Sequence, residues 1–145
     1  MGSKRFYWVD AGMANSFKID EPITTWNFLF LPKDKFFLTS YAYNADKEIH
    51  GYNVDTMIGI VGKKPEYVCR ATVFGGSKDQ ILEFNKYYHD MITQSLDQGV
   101  IGTEEAIYTL VEMIKPELVN RYAMINGDIK NYLNTIRNRS CVFML

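Results

Sequence analysis

Three short stretches of the sequence carry residue types that can do chemistry. Asp10 ends an apolar run, a Gly-Gly-Ser stretch at 75–77 follows another, and Glu104 and Glu105 open a helical pattern. A carboxylate can bind a divalent cation or move a proton, and consecutive glycines let a substrate come close to the main chain. The three stretches together predict a common site.

Asp10 is the candidate metal ligand. It follows a predicted strand, and the small residues after it leave room for a cation and a phosphate. Mg²⁺ and Mn²⁺ favour hard oxygen ligands of this kind. The structural alternative, an Asp that caps the following turn, stays open. So does the choice of further ligands among Asp20, Glu21, Asp46 and Asp55.

The Gly-Gly-Ser stretch predicts a tight turn that is open to a ligand. Gly75 and Gly76 can adopt unusual backbone angles, which makes both candidate substrate-binding residues. Ser77 is a third candidate, and with Gln80 it forms the S-x-x-Q pattern of a capping box at the start of a helix.

Glu104 and Glu105 are candidate catalytic residues at the start of another helix. A Glu in this position can serve as a base, a nucleophile or a ligand of a sugar hydroxyl. Acidic residues in a first helical turn also interact favourably with the helix dipole, by about 0.3–1 kcal/mol, so a purely structural role is the alternative. We favour the site because all three stretches are predicted to meet at one edge of a sheet.

The aromatic residues offer a further kind of contact. Trp8 and several tyrosines can stack on sugar rings, although aromatic side chains mostly belong to protein cores. His50 and His89 are isolated in the sequence and are more typical of packing or surface positions. Trp8 is therefore included among the candidate substrate-binding residues.

Composition limits the class of protein. The chain has 145 residues, 47% of them hydrophobic, and its formal charge is −1, which predicts one domain over residues 1–145 with its own core. The basic residues form no continuous stripe of the kind that binds nucleic acid, so nucleic-acid binding is not expected. Cys69 and Cys141 fit no metal or disulfide pattern, and no apolar segment is long enough for a membrane span. We expect a soluble protein of a reducing compartment, the cytoplasm.

The hydrophobic patterns predict an α/β fold. The long helix is expected to bury Leu96, and the first strand is expected to be buried on both faces. Gly99 is expected to cap the long helix. Strands are predicted at 5–9, 26–31, 35–43, 57–61 and 67–74, and helices at 77–98, 103–115, 116–122 and from 128 onward.

These motifs resemble the C-terminal half of a GT-A glycosyltransferase, and in particular the HtrL/YibB-like glycosyltransferase-related family. The resemblance runs from Tyr7 to about Tyr122. The order of a Phe-Gly-Gly-Ser motif, a long helix and an acidic helix start is also similar to the blood-group and α-1,3-galactosyl transferases. The motifs that carry it are Trp8–Gly12, Val73–Ser77, Gly102–Glu105 and Pro116–Leu118.

The resemblance implies a GT-A-like mixed sheet flanked by helices, without the family's N-terminal nucleotide-binding half. It implies transfer of a hexose from a nucleotide-diphosphate sugar to a hydroxyl acceptor, with Mn²⁺ or Mg²⁺ on Asp10. Glu104 or Glu105 would orient the sugar or stabilise the transition state. The Asp-Ala-Gly motif at 10–12 has one carboxylate, where many relatives have Asp-x-Asp.

Two other interpretations belong beside the transferase. One is a noncatalytic module that is derived from a glycosyltransferase and binds a glycan or a protein. The other is a structural domain in which the Gly-Gly-Ser stretch and the two glutamates only begin and end helices. A sheet edge left open by the missing half would favour a homodimer.

Overall fold

The computed structural model describes residues 5–10, 33–44 and 52–124. Their strands are β1 (Arg5–Val9), β2 (Phe36–Ala42), β3 (Tyr67–Ser77) and β4 (Val119–Met124). Their α-helices are α1 (Val54–Val61), α2 (Lys78–Asp97) and α3 (Glu104–Ile114), and a 3₁₀ helix spans Pro116–Leu118.

The four strands form one mixed sheet in the order β1-β3-β2-β4. The strand β3 pairs antiparallel with both β1 and β2, whereas β2 and β4 are parallel. Because β4 returns beside β2 only after α2 and α3, the helices lie in the connection between these parallel strands. The α/β class and the mixed sheet expected from the sequence are confirmed.

Helices α2 and α3 pack on the face of the sheet that carries Phe36 and Phe74. The ring of Phe36 stacks on Phe84 of α2 at 4.0 Å between centroids, and Phe74 meets Tyr108 of α3 edge-on at 4.9 Å. The core formed by this packing is aliphatic at its centre. Its fully buried members include Leu38, Met57, Val68, Leu110 and Val111.

Both long helices were predictable from sequence because their apolar periodicity and their caps agree. Ser77 and Gln80 form the expected capping box of α2, and Gly99, just after the C-cap of α2, adopts the left-handed φ of 70°. The expected burial of Leu96 is wrong, since its side chain is exposed and Ser95 is buried instead. Exposed His89 agrees with the surface position expected for it.

The run at 57–61, predicted as a strand, belongs to helix α1. Asn53 caps this helix, its side chain accepting a hydrogen bond from the backbone N–H of Thr56 at 2.7 Å. Gly62 ends it with a φ of 79°. A short apolar run has no periodicity that separates strand from helix, so these flanking signals decide the structure.

The helix predicted at 116–122 is wrong beyond its first turn. Only Pro116–Leu118 is helical, and the chain then enters β4 beside β2. Pairing with the open side of β2 explains the strand, because that interaction lies outside the local sequence. The predicted strand 26–31 and the helix from 128 lie outside the described residues, as do Asp20, Glu21, Asp46, His50 and Cys141.

A bulge interrupts the pairing of β2 with β3. Leu38 lies opposite Phe74, but the next residue, Thr39, lies opposite Arg70, so three β3 residues have no partner in β2. The buried hydroxyl of Thr39 fills this irregularity. It donates to the carbonyl of Arg70 at 2.6 Å and lies 2.8 Å from the hydroxyl of Thr72. The bulge therefore gives residues 71–73 a shape that a regular ladder would not allow.

Candidate functional site

An aromatic cleft lies between β1 and α2. Its cavity is about 360 Å³, and it brings together Trp8 and Gly75, two of the residues that the sequence singled out. The remaining lining is mostly aromatic, with the amide of Asn85 and three tyrosines as its polar groups. It comprises Phe6, Tyr7, Phe36, Phe74, Ile81, Phe84, Asn85, Tyr88 and Tyr108.

Trp8 forms the exposed wall of the cleft. Its side chain is 60% exposed and stacks on Phe74, with 6.2 Å between ring centroids and 22° between the planes. Phe6, on the same face of β1, is 54% exposed. An indole fixed by stacking and open on its outer side offers an apolar surface to the face of a sugar ring.

The exposure of Trp8 corrects the expectation that β1 is buried on both faces. Along β1 the residues alternate between half-buried and exposed, because β1 is an edge of the described sheet. Helices α2 and α3 pack on the inner strands and leave the outer part of β1 uncovered. The unbroken aromatic run is typical of a buried strand, and only the topology shows that it is an edge.

Gly75 and Gly76 do not form a turn, so the prediction of a Gly-Gly-Ser turn is wrong. Both lie within β3, opposite Tyr7 and Phe6 of β1. A Cβ on Gly75, whose φ is 151°, would lie 2.1 Å from the carbonyl oxygen of Phe6. Glycine is therefore required here for strands to approach each other, which is a structural reason that the motif alone does not reveal.

Ser77 serves as a helix cap in this structure. Its hydroxyl accepts from the backbone N–H of Gln80 at 3.3 Å, and its own N–H donates to the Gln80 side chain at 2.9 Å. Gln80 also donates to the carbonyl of Lys33 at 3.1 Å, which ties the start of α2 to the segment before β2. Ser77 thus has the role that the capping pattern predicts.

Asp10 and Glu105 each form a hydrogen bond with β3, Asp10 through its backbone N–H and Glu105 through its carboxylate. The N–H of Asp10 donates to the carbonyl of Thr72 at 2.9 Å. One carboxylate oxygen of Glu105, Oε1, accepts from the N–H of Ala71 at 3.1 Å. The end of β1 and the start of α3 therefore reach the same bulged segment of β3. Gly75, three residues further along β3, lies about 10 Å away at 3.3 Å per residue.

The carboxylate of Glu105 is also paired with a cation. Its Oε2 lies 3.2 Å from Nη1 of Arg70, and its side chain is 16% exposed. The guanidinium carbon of Arg70 lies 4.8 Å from the centre of the Tyr41 ring. Sequence reasoning missed Arg70, since nothing in a strand pattern marks an arginine that reaches a helix start from the adjacent strand.

The negative charge of Glu104 affects two tyrosines of the cleft. Glu104 is exposed in the first turn of α3, and its charge adds to burial in raising the pKa of Tyr88. Burial is also the main cause of the raised pKa of Tyr108, with smaller contributions from Tyr88, Cys69 and Glu104. These tyrosines therefore keep their hydroxyl protons at neutral pH and can donate hydrogen bonds into the cleft.

The described residues provide few protein ligands for the metal expected on Asp10. Across residues 5–10, 33–44 and 52–124, no three His, Cys, Asp or Glu side chains are grouped as a metal site would need. A site with one protein carboxylate is still consistent with Mg²⁺ or Mn²⁺, which complete their shells with water and substrate phosphates. The exposed position of Asp10 fits that kind of site.

Comparison with known proteins gives no match to a family model, a curated protein or a solved structure. The described residues form an α/β fold with a four-stranded mixed sheet. None of the described helices has both the length and the apolar character that crossing a membrane requires.

Proposed function

We propose that the chain is a metal-assisted glycosyltransferase of the GT-A type, which transfers a hexose from a nucleotide-diphosphate sugar to a hydroxyl acceptor. One observation carries the proposal: Asp10 and Glu105 contact adjacent residues of β3. The two residues are 95 positions apart in the sequence, and Asp10 makes its contact through the backbone N–H. The cytoplasm is the compartment that goes with this proposal.

In this proposal Asp10 supplies a protein ligand to Mn²⁺ or Mg²⁺. The bound cation would neutralise the charge that develops on the departing diphosphate. Glu105, held by Arg70 and the N–H of Ala71, would stabilise positive charge that builds up on the transferred sugar. Glu104 is the alternative for orienting the sugar, because its charge reaches the tyrosines of the aromatic cleft.

Metal-dependent binding of a nucleotide sugar tests the proposal. The 145-residue chain is titrated with UDP, GDP and their sugar conjugates, each with and without Mn²⁺, while its melting temperature is followed. A ligand at 100 times its Kd stabilises by about 2.7 kcal/mol, which corresponds to a rise of about 5–10 °C in a domain of this size. Asp10→Asn is expected to abolish the Mn²⁺-dependent part of the rise.

Asp90→Asn is the matched control, because Asp90 is an exposed aspartate on α2, outside the lining of the cleft. Equal loss in both variants would count against Asp10 as the metal ligand. A wild-type chain that melts cooperatively and shifts with none of the nucleotides would contradict the transferase.

A second candidate is a noncatalytic glycan-binding module, and the aromatic cleft favours it. The outer face of Trp8 is exposed over Phe74, beside the hydroxyls and amide of the cleft. A second copy could also pair along β1, which among the described strands pairs only with β3. Neither kind of binding needs a nucleotide or a metal.

Calorimetric titration with oligosaccharides of glucose, galactose and mannose tests this module. Trp8→Ala is expected to weaken glycan binding at least tenfold, about 1.4 kcal/mol, because it removes the stacking surface. Leu82→Ala, which truncates another exposed apolar side chain outside the cleft, should leave binding unchanged. Binding that survives Trp8→Ala would exclude the cleft as its location.

A further inference from the structure

Helix α3 presents two glutamates to the sheet, seven residues apart and therefore on one face. Glu105 lies in its first turn and Glu112 near its end. Each pairs with an arginine that lies over a tyrosine ring. The two groups consist of Glu105, Arg70 and Tyr41, and of Glu112, Arg121 and Tyr67.

The group of Glu112, Arg121 and Tyr67 has a buried carboxylate and an exposed guanidinium. Glu112 is only 4% exposed and lies 2.5 Å from Nε of Arg121, whose guanidinium carbon is 3.9 Å from the Tyr67 ring centre. Arg121 belongs to β4, so this group attaches β4 to α3.

The group of Glu105, Arg70 and Tyr41 lies at the proposed reaction site. Arg70 approaches the Glu105 carboxylate from one side, and the N–H of Ala71 approaches it from another. The stacking of Arg70 on Tyr41 restricts the plane of the guanidinium and so the direction of its N–H groups. The next residue of β3, Thr72, accepts the hydrogen bond from Asp10.

We propose that Arg70 is a positioning residue for Glu105. Arg70, held by Tyr41, keeps the Glu105 carboxylate against Ala71, next to the β3 residue that Asp10 contacts. This inference rests on the proposed sugar transfer, since Glu105 would be the group that meets the transferred sugar. The hydrogen bond between the Ala71 N–H and the Glu105 carboxylate can be measured without any substrate.

Hydrogen exchange measures how well the Ala71 N–H is protected by its hydrogen bond to Glu105. The N–H of Ala71 donates to Glu105, whereas the nearby N–H of Cys69 donates to Thr109 Oγ1 at 2.9 Å and serves as an internal reference. In Arg70→Gln, NMR exchange rates should show the ratio of Ala71 to Cys69 rising about tenfold, with a smaller rise in Arg70→Lys. Normalising to Cys69 removes any change in global stability.

Lys86→Gln is the matched control for losing a cation over an aromatic ring. Lys86 lies 5.9 Å from the Tyr87 ring centre on α2, so the Ala71 to Cys69 ratio should stay at its wild-type value. A ratio that is also unchanged in Arg70→Gln would overturn the inference, because Arg70 would then not hold Glu105 at Ala71.

Steady-state kinetics test whether the positioning of Glu105 by Arg70 contributes to the proposed reaction. With the donor and Mn²⁺ that stabilise the wild type, Arg70→Gln should lower kcat about 10- to 100-fold while the donor KM stays within about twofold. Arg70→Lys should recover part of kcat. An unchanged kcat beside a large loss in Glu105→Gln would overturn the positioning role. Absence of turnover in the wild type would contradict the transferase and this role together, while the exchange ratio would still decide whether Arg70 holds Glu105.

Discussion

Replacing Gly75 with Ala is expected to lower the free energy of unfolding by about 3–5 kcal/mol. The added Cβ would lie 2.1 Å from the Phe6 carbonyl oxygen and 2.8 Å from the Tyr7 Cα, and the φ of 151° strains any L side chain. Both clashing atoms belong to backbone, so no change of rotamer can relieve them. Urea unfolding of wild type and variant measures the difference.

Gly59→Ala provides the control, because it makes the same chemical change in open space. Gly59 lies within helix α1, and a Cβ there meets no atom within 4 Å. Alanine should stabilise the helix by about 0.5–1 kcal/mol. Similar unfolding energies for the two variants would mean that β1 does not approach Gly75 as closely as the structure has it.

The Gly75 result also bears on how far a glycine motif can be interpreted. Two successive glycines after an apolar run are equally suited to a turn, to the approach of a ligand and to the approach of another strand. In this fold the approaching group is β1. Local sequence could not reveal this, because the pairing joins residues about seventy positions apart.

The predictable part of the fold is the part whose signals are local. Helix α2 combines an apolar stripe with the Ser77 and Gln80 cap, and most of β3 before its glycines is apolar. By contrast, β4 pairs with the open side of β2, and its segment was predicted as a helix because Pro116 suits a first helical turn. Helix α1 has an apolar run too short to distinguish helix from strand, and its caps, Asn53 and Gly62, lie outside that run.

The candidate site divides in the same way. Asp10 and Glu105 stand out in the sequence because they mark a strand end and a helix start, and both of these elements reach β3. Arg70 and Tyr108 were not predictable. Their relevance comes from side chains that neighbouring elements bring close, through an ion pair for Arg70 and ring packing for Tyr108.

Replacing Arg121 with Met is expected to destabilise the protein by about 3 kcal/mol at pH 8, because it leaves the buried Glu112 carboxylate without its cation. The loss should shrink at acid pH. Burial already raises the pKa of Glu112 above its ordinary 4.5, and Arg121 opposes that rise. Without Arg121 the pKa rises further, so the folded variant binds its proton over a wider range of pH.

The sign of the pH dependence follows from linkage. Between the unfolded pKa of about 4.5 and the raised folded pKa, the folded state binds more protons than the unfolded state. Stability conferred by the protonated Glu112 is therefore complete below about pH 4.5 and is lost as the pH rises through the folded value. Urea unfolding from pH 4.5 to 8 should show a steeper decline for Arg121→Met than for the wild type.

A double-mutant cycle with Glu112→Gln separates charge from packing. Gln keeps the shape of the side chain but cannot ionise, so Arg121→Met should cost only about 1 kcal/mol in that background, at every pH. The remaining cost would be the contact of Arg121 with the Tyr67 ring. A cost of about 3 kcal/mol in both backgrounds, independent of pH, would instead mean that Arg121 stabilises β4 by packing alone and that the buried carboxylate does not depend on it.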